Sequence, residues 1–309
     1  MMLPDDDQAT KLLEFCGVSA PDRDAMLAAR PDPVRDAEWW AVLEERASEL
    51  DRGLDQPIEA NGFSSWPAMP ESASPVGLFV EAWALLSRLP QLLDVHARRG
   101  VPESISRSTA SALGGVMATH RHLSGRAGVG LMPLWSPPLR FRGADIEMGR
   151  HCFTRSRIAL GDGPAGFGLM VHIPPIGPLD PVASEESIAA AERLFAQWYP
   201  EEPVAFFTCK SWLLDPQLAE YLDPGSNILR FQRRFIVLPE PPPDDPGEAD
   251  RELMRLGLHL NTPAGDLTEQ DLARVPQDTS LQRAFVAHLR SGRHWTVRTG
   301  IRLPAERGA

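Results

Sequence analysis

The chain has 309 residues, of which 43% are hydrophobic and 24% are charged, a composition typical of folded globular proteins. Its length predicts one large domain or two of medium size. The formal net charge of -11 opposes general electrostatic attraction to nucleic acid or to an anionic membrane surface. We therefore expect neither of them as a partner.

Cysteine usage and the N-terminal residues indicate the cellular compartment. The three cysteines, Cys16, Cys152 and Cys209, are too few and too scattered for a disulfide framework. Residues 5–7 are all aspartate, where a secretory signal would carry positive charge before an apolar run. No segment reaches the roughly 18 uninterrupted apolar residues of a membrane span. These features predict a cytoplasmic protein.

The first part of the chain has the apolar spacing of helices. Leu43, Ala47 and Leu50 follow Trp39 and Trp40 at intervals of three and four residues, which is the periodicity of one buried helix face. A strongly apolar helix is predicted over residues 76–99, and further helix follows up to the glycines near residue 125. We predict a helical N-terminal domain over residues 1–128.

After residue 144 the pattern changes to short strands that alternate with helices. Strands are predicted over residues 152–160, 167–173, 204–209, 228–238 and 295–303, the first two joined as a hairpin. Ser184 is predicted to cap a helix whose first turn carries Glu185 and Glu186, and Asp215 with Pro216 to start another over 217–222. We therefore predict an α+β protein: a helical N-terminal domain, then a mixed β-sheet flanked by helices over residues 129–309.

Four stretches of the second half carry a family resemblance. They are His172-Ile173-Pro174 with Gly177 and Leu179, Glu186-Ser187-Ile188, the run from Cys209 to Pro216, and Ser226-Asn227-Ile228 with Phe231-Gln232. By these stretches the chain resembles the two-domain acyltransferases that join an N-acyltransferase N-terminal domain to a GNAT-like C-terminal domain. The resemblance covers about residues 143–238, and the N-terminal half is similar mainly in size and helical character. His151-Cys152-Phe153 departs from the more amide-bearing, aliphatic strand of the relatives, so we expect a different substrate face there.

The resemblance implies transfer of an acyl group from a thioester, acyl-CoA or acyl-carrier protein, to an amine on a small molecule or peptide, in specialised metabolism. In GNAT-like folds the acyl-pantetheine arm lies between two neighbouring parallel strands, here 166–173 and 204–209. The amine attacks the thioester carbonyl directly, a base takes its proton, backbone N–H groups stabilise the oxyanion, and an acid protonates the departing thiolate.

Two residues are the predicted catalytic groups. His172 lies near the end of the first of these strands, and an imidazole titrates near neutral pH, so it is our candidate for the general base. Tyr221 lies where GNAT-like enzymes place the tyrosine that protonates the thiolate, so the resemblance implies the acid. For both residues the alternative is ordinary packing, and Tyr221 has Leu218 and Leu222 on its own helix face.

Further residues are predicted to contact the substrates. The amine and acyl group are expected to contact Cys209, Ser211 and Trp212 at the end of the second strand, Asn227 just before the strand predicted over residues 228–238, and Glu186 at a helix start. Phosphate or pantetheine contacts are expected at Ile173, Gly177 and Arg234. The competing explanations are a small buried hydrophobe for Cys209, helix-dipole complementarity for Glu186 and a solvated strand face for Arg234. No metal is predicted, because His120 and His122 do not share a helix face.

The donor and the reaction class stay open at this point. Pro175 and Pro178 lack N–H donors, and an acidic helix start disfavours the pyrophosphate of CoA, so a carrier-protein thioester is an alternative to free CoA. A catalytically silent GNAT-like module for binding or regulation is the second hypothesis. A thioester hydrolase that uses Cys209 or Ser211 is the third.

Overall fold

The computed structural model describes residues 2–59, 65–159, 163–174, 177–241, 243–258, 260–262 and 265–305. These residues form two compact units. One comprises residues 1–148, 153–167 and 194–203, and the other 149–152, 168–193 and 204–309. The chain passes between the two units five times, and three of these passages lie inside a strand or a helix.

The first unit is mainly helical, as predicted. Its helices are α1 (Asp6–Phe15), α2 (Ala20–Ala28), α3 (Ala37–Gly53), α4 (Pro75–Arg99), α5 (Glu103–Ala110), α6 (Ala112–Ser124) and α7 (Ser136–Phe141). Its strands are β1 (Ile58–Glu59), β2 (Asp145–Met148) and the greater part of β3 (His151–Ile158). Within it β3 pairs with β2 and, in parallel, with β1.

Helix α4 forms the centre of this unit because apolar side chains surround it on nearly every face. Ser74 caps its start by accepting the N–H of Gly77, and Trp83, Leu85 and Leu86 have no exposed surface. Among the described helices only α4 is long and apolar enough to cross a membrane. However, 67% of its most apolar 18-residue stretch is buried inside the protein. A helix buried to this extent is the core of a folded domain.

A buried arginine in β3 joins distant segments of the first unit. Arg155 is 1% exposed, and its guanidinium bonds both carboxylate oxygens of Glu202, the side chain and the carbonyl of Asp55, and the carbonyl of Gly143 at 3.1 Å. These five acceptors match the five N–H donors of the group. The guanidinium carbon also lies 3.6 Å from the ring centre of Tyr199. The charge is therefore buried without an unsatisfied donor.

The second unit is built on a mixed sheet, which confirms the predicted fold class. Its strands are β4 (Gly166–His172), β5 (Phe206–Ser211), β6 (Ile236–Val237) and β7 (Arg298–Arg302). They lie in the order β4-β5-β7-β6, with β4 and β5 parallel and the other neighbours antiparallel. The helices are α8 (Pro181–Trp198), α9 (Asn227–Gln232), α10 (Glu248–Glu252), α11 (Glu269–Ala273) and α12 (Ser280–Arg290).

The pairing of β4 with β5 is short, and its start depends on a glycine. Gly168 faces Phe206, and a Cβ on Gly168 would lie 2.5 Å from the Phe206 ring. The ladder ends at the pair Met170–Thr208. Beyond it β4 continues to His172 and β5 to Ser211, while β5 pairs with β7 along its other edge over residues 207–211. We call the region between residues 171–172 and 209–211 the strand gap.

Two local predictions in the second unit were wrong. Residues 228–238 form α9 and the two-residue strand β6, because Ser226 accepts the N–H of Leu229 and starts a helix there. Helix α8 starts at Pro181 rather than after Ser184, because the Asp180 carboxylate accepts the N–H groups of Val182 and Ala183. The helix predicted after Asp215 is present with Asp215 as its cap, but it is a 3₁₀-helix that ends earlier, Pro216–Glu220. The turn of the predicted hairpin lies partly outside the described residues.

We predict that Arg155→Leu destabilises the protein by about 3 to 5 kcal/mol, because it leaves the buried carboxylate of Glu202 without its partner. The matched control is Arg157→Leu, two residues along the same strand. Arg157 is 48% exposed and 3.8 Å from Glu59, so its loss should cost less than about 1 kcal/mol. Urea unfolding followed by circular dichroism measures both values, and equal losses would contradict the importance of Arg155.

Candidate active site

The strand gap carries the first group of predicted site residues. His172 is the last residue of β4 and is half-buried, as is Ile173 beside it. Gly177 is exposed and has a φ of 61°, a conformation that glycine adopts without strain. Beyond Met170–Thr208 these two parallel strands do not pair with each other. Facing strand edges of this kind are what an extended, amide-containing ligand would need.

Arg150 fixes the loop that follows His172. Its guanidinium donates to the carbonyl oxygens of Pro174 at 2.9 Å, Pro178 at 3.0 Å and Gly177 at 3.4 Å. Partial burial lowers the pKa of Arg150. Arg150 directly precedes the divergent stretch His151-Cys152-Phe153, and the sequence gave no sign that its side chain turns back to this loop.

A second histidine, His151, lies beneath the end of β4 and is fully buried. Burial, together with the nearby cations Arg150 and Arg234, lowers the pKa of His151 to about 3. A hydrogen bond with the His172 backbone acts in the opposite direction but is the smaller effect. The His151 ring centre lies 5.6 Å from that of Phe231. His151 is therefore uncharged at neutral pH, and its ring hydrogen-bonds the backbone of His172, the candidate base.

An ion-pair group lies at the first half of α8. Glu185 accepts from Arg234 at 3.1 Å and from Arg302 at 2.5 and 3.0 Å, and the hydrogen bond from Arg302 is the main cause that lowers the pKa of Glu185. Arg234 also donates to the carbonyl of Pro181 at 2.7 Å. Its Nη1 is buried and bonds no group in the described part of the chain. Glu185 is thus charge-paired, and the neighbouring Glu186 is exposed.

The end of β5 holds three predicted substrate contacts. Cys209 is 2% exposed, and burial raises its pKa to about 12. The Ser211 hydroxyl accepts the N–H of Leu213 at 3.1 Å and so caps the following 3₁₀ turn. Trp212 is buried against Gly257, where a Cβ would lie 2.8 Å from the indole ring. A buried thiol with a raised pKa is a poor nucleophile.

Tyr221 ends the Pro216–Glu220 turn and belongs to a group of aromatic and basic side chains. Its hydroxyl lies 3.2 Å from Nδ1 of His288, and Nη2 of Arg293 donates to it at 2.5 Å. The ring of Trp295 packs at 5.9 Å from the Tyr221 ring, edge to face. Asn227 stands apart as the first residue of α9. The neighbours of Tyr221, which are His288, Arg293 and Trp295, were not among the predicted site residues.

The structure distributes the predicted residues over several places. His172 ends β4, and Ile173 and Gly177 lie in the loop that Arg150 holds. Cys209 and Ser211 lie in β5, and Trp212 follows it. Arg234 pairs with α8, which also carries Glu186, and Asn227 begins α9. Tyr221 groups with α12 and the segment that precedes β7. The only sequence signal for that last group is the run Arg293-His294-Trp295, which concentrates basic and aromatic residues in a connection just before a strand. Among the described residues no cluster of His, Cys, Asp and Glu is arranged to hold a metal ion.

Comparison with known proteins gives a consistent assignment. The family model described as an N-acyltransferase N-terminal domain matches residues 7–143, and the model described as a GNAT-like C-terminal domain matches residues 154–302. No curated protein sequence matches the chain.

Solved structures of acyltransferases are similar over most of this chain. One, in complex with decanoyl-CoA and teicoplanin, is 31% identical with a TM-score of 0.83. A second, with decanoyl-CoA, is 34% identical with a TM-score of 0.82. A mutant with octanoyl-CoA is 30% identical with a TM-score of 0.84. Each comparison covers 98% of this chain and 90% of the other.

The two family matches span most of the sequence, and the structural matches exceed 30% identity over nearly all of it. The chain therefore belongs to the two-domain acyltransferases with an N-acyltransferase N-terminal domain and a GNAT-like C-terminal domain. It is an acyltransferase.

We predict that iodoacetamide at pH 8 leaves the folded protein unmodified, because Cys16, Cys152 and Cys209 are all buried and burial raises the pKa of Cys16 and Cys209 to about 12. The same treatment in urea should add three adducts by intact mass, one for each cysteine. A single fast adduct on the folded protein that disappears in Cys209→Ala would instead show that the Cys209 thiol is activated. That result would support Cys209 as a covalent nucleophile.

Proposed function

We propose that this acyltransferase moves a fatty acyl group from acyl-CoA to an amine of a peptide natural product or another small molecule. The observation that carries the proposal is the similarity, over 98% of the chain, to acyltransferases whose solved structures hold decanoyl-CoA or octanoyl-CoA, one of them with the glycopeptide teicoplanin. A cytoplasmic location remains our expectation.

The strand gap supports a thioester donor with a pantetheine arm. Beyond Met170 and Thr208 the strands no longer pair with each other, so an inserted arm can form hydrogen bonds to the strand edges through its amides. Such pairing is the way extended ligands add to open sheet edges.

The charge around α8 bears on whether the donor is CoA or a carrier-protein thioester. The sequence argued against CoA because acids were expected in the first turn of this helix, yet Glu185 lies in the second turn and is neutralised by Arg234 and Arg302. Asp180 does occupy the N–H groups of Val182 and Ala183. A pyrophosphate would therefore rely on Arg234 or other donors rather than on those two, and the similarity to CoA complexes favours free CoA.

In this proposal His172 is the general base and Tyr221 is the general acid. The neutral amine attacks the thioester carbon, and His172 takes the proton that the nitrogen loses as the C–N bond forms. The C–S bond then breaks, and Tyr221 gives its phenol proton to the CoA thiolate. The products are an amide and free CoA, and each catalyst returns to its first state by exchange with solvent.

The direct test incubates the protein with decanoyl-CoA or a decanoyl-carrier protein and a glycopeptide that bears a free amine, with the N-acetylated glycopeptide as control. We expect an amide product from decanoyl-CoA by mass spectrometry. CoA release without an amide would indicate a hydrolase. Tight binding of decanoyl-CoA without turnover would indicate the silent binding module.

We predict that His172→Gln lowers kcat/KM by on the order of 10²- to 10⁴-fold, the range for loss of a general base. His122→Gln, which changes an exposed histidine of α6, is the matched control and should keep full activity. Full turnover by His172→Gln would remove His172 from the mechanism while leaving the acyl transfer itself intact.

A further inference from the structure

Two hydrogen-bonding groups converge on the Tyr221 hydroxyl. Nη2 of Arg293 donates to its oxygen at 2.5 Å, and Nδ1 of His288 lies 3.2 Å away. Arg293 is itself held by Glu220, which accepts two hydrogen bonds at 2.8 and 3.1 Å. Tyr221 is partly exposed, whereas His288 has no exposed surface. The phenol therefore has one open side and one side enclosed by basic groups.

The environment of His288 indicates where its proton lies. Nε2 of this ring is buried and bonds no group of the described residues. A proton on Nε2 would be a buried donor without an acceptor, which is costly and rare. A proton on Nδ1 has an acceptor in the Tyr221 oxygen. The hydrogen-bond inventory thus assigns the Nδ1–H tautomer to His288.

This tautomer decides the direction of the phenol proton. Arg293 and His288 then both donate to the Tyr221 oxygen and occupy its two acceptor positions. The O–H of Tyr221 has to point away from both of them, toward the open side. Tyr221 is therefore oriented to give up its proton rather than to share it with His288.

The surrounding residues hold this arrangement in place. The Trp295 ring stacks on His288 with the ring centres 4.0 Å apart. Asp250, which is 3% exposed, accepts the backbone N–H of Trp295 at 2.8 Å and pairs with Nδ1 of His294 at 2.6 Å. The position of His288 is thus fixed by contacts that do not involve a substrate.

We propose that His288 and Arg293 are positioning residues that stabilise the phenolate of Tyr221 at the moment it protonates the departing thiolate. The inference rests on the proposed function, in which Tyr221 is the acid. The O–H bond of Tyr221 breaks, an S–H bond forms on CoA, and the negative charge moves from sulfur to the phenol oxygen. The two donors already point at the atom where this charge develops, which is the condition for electrostatic stabilisation without reorganisation.

The test compares two donors that differ in one atom: decanoyl-CoA and its selenoester, in which selenium replaces the thioester sulfur. A selenolate is a much weaker base than a thiolate and leaves without a proton. We expect Arg293→Met and His288→Leu to lower kcat with decanoyl-CoA by on the order of 10²-fold each and with the selenoester by less than about threefold. The KM for each donor should stay unchanged.

Conservative variants and a surface control separate positioning from folding. Arg293→Lys and His288→Asn keep a donor near the phenol and should recover part of the lost rate. Arg290→Met removes a comparable surface arginine of α12, whose partner is Glu269, and should leave both donors at wild-type rate. Arg293 is 41% exposed in its side chain, so Arg293→Met keeps the test valid if His288→Leu fails to fold.

In the background of Tyr221→Phe, the change Arg293→Met should have no further effect, because the two residues act through one oxygen. An active wild type with equal losses on both donors, or with additive losses in the double variant, would overturn this inference alone. A wild type that forms no amide from either donor would overturn the proposed function and the inference with it.

Discussion

The guanidinium of Arg155 is the interaction on which the first unit depends. It brings Asp55, Gly143 and Glu202 to one point although Asp55 lies 100 residues from Arg155 in sequence. A buried cation is stable only when its donors are all used, and here five donors meet five acceptors. Lysine offers three donors in a different geometry, so it is no substitute. β3, which carries Arg155, begins in the second unit with residues 151 and 152, directly after the Arg150 that holds the loop past His172.

The acidic net charge of the chain does not describe the loop after β4, where three arginines balance the carboxylates of Asp180, Glu185 and Glu186. Arg150, Arg234 and Arg302 all lie around the loop after β4 and the first half of α8, and one carboxylate, Glu185, pairs with two of them. A charge of -11 still opposes unspecific binding of polyanions. A small anionic ligand that enters this part of the second unit meets a different field. Net charge therefore predicts the class of partner, and the local pairing governs what the site accepts.

The sequence predicted the fold class and the strands next to the site. Short apolar runs such as residues 167–173 can be recognised as strands from local sequence alone, without knowledge of the strands that pair with them. The sequence missed the structure around Asn227, because the run from Ile228 to Leu238 is rich in β-branched and aromatic residues, yet the Ser226 cap and burial of Phe231 favour a helix. The predicted cap Ser184 lies inside α8, and Asp180, which is also a good capping residue, caps the helix instead. The choice between them depends on how the preceding loop packs.

The contacts around the site were beyond prediction for a different reason. Arg150, His288 and Arg293 reach their partners across 24 to 72 residues of sequence, and no spacing rule connects residues at such separations. The catalytic candidates His172 and Tyr221 came from the family resemblance. Their neighbours depend on tertiary packing, which a pattern in a single sequence does not encode.

The way Arg150 holds the loop after His172 bears on how such a site diversifies. All three of its acceptors there are backbone carbonyls, and every amino acid supplies one. Substitutions in this loop alter the shape and polarity presented to a ligand while the same anchor persists. Changes at these positions can therefore alter ligand selectivity while the loop stays anchored, whereas replacement of Arg150 would remove all three of these hydrogen bonds at once.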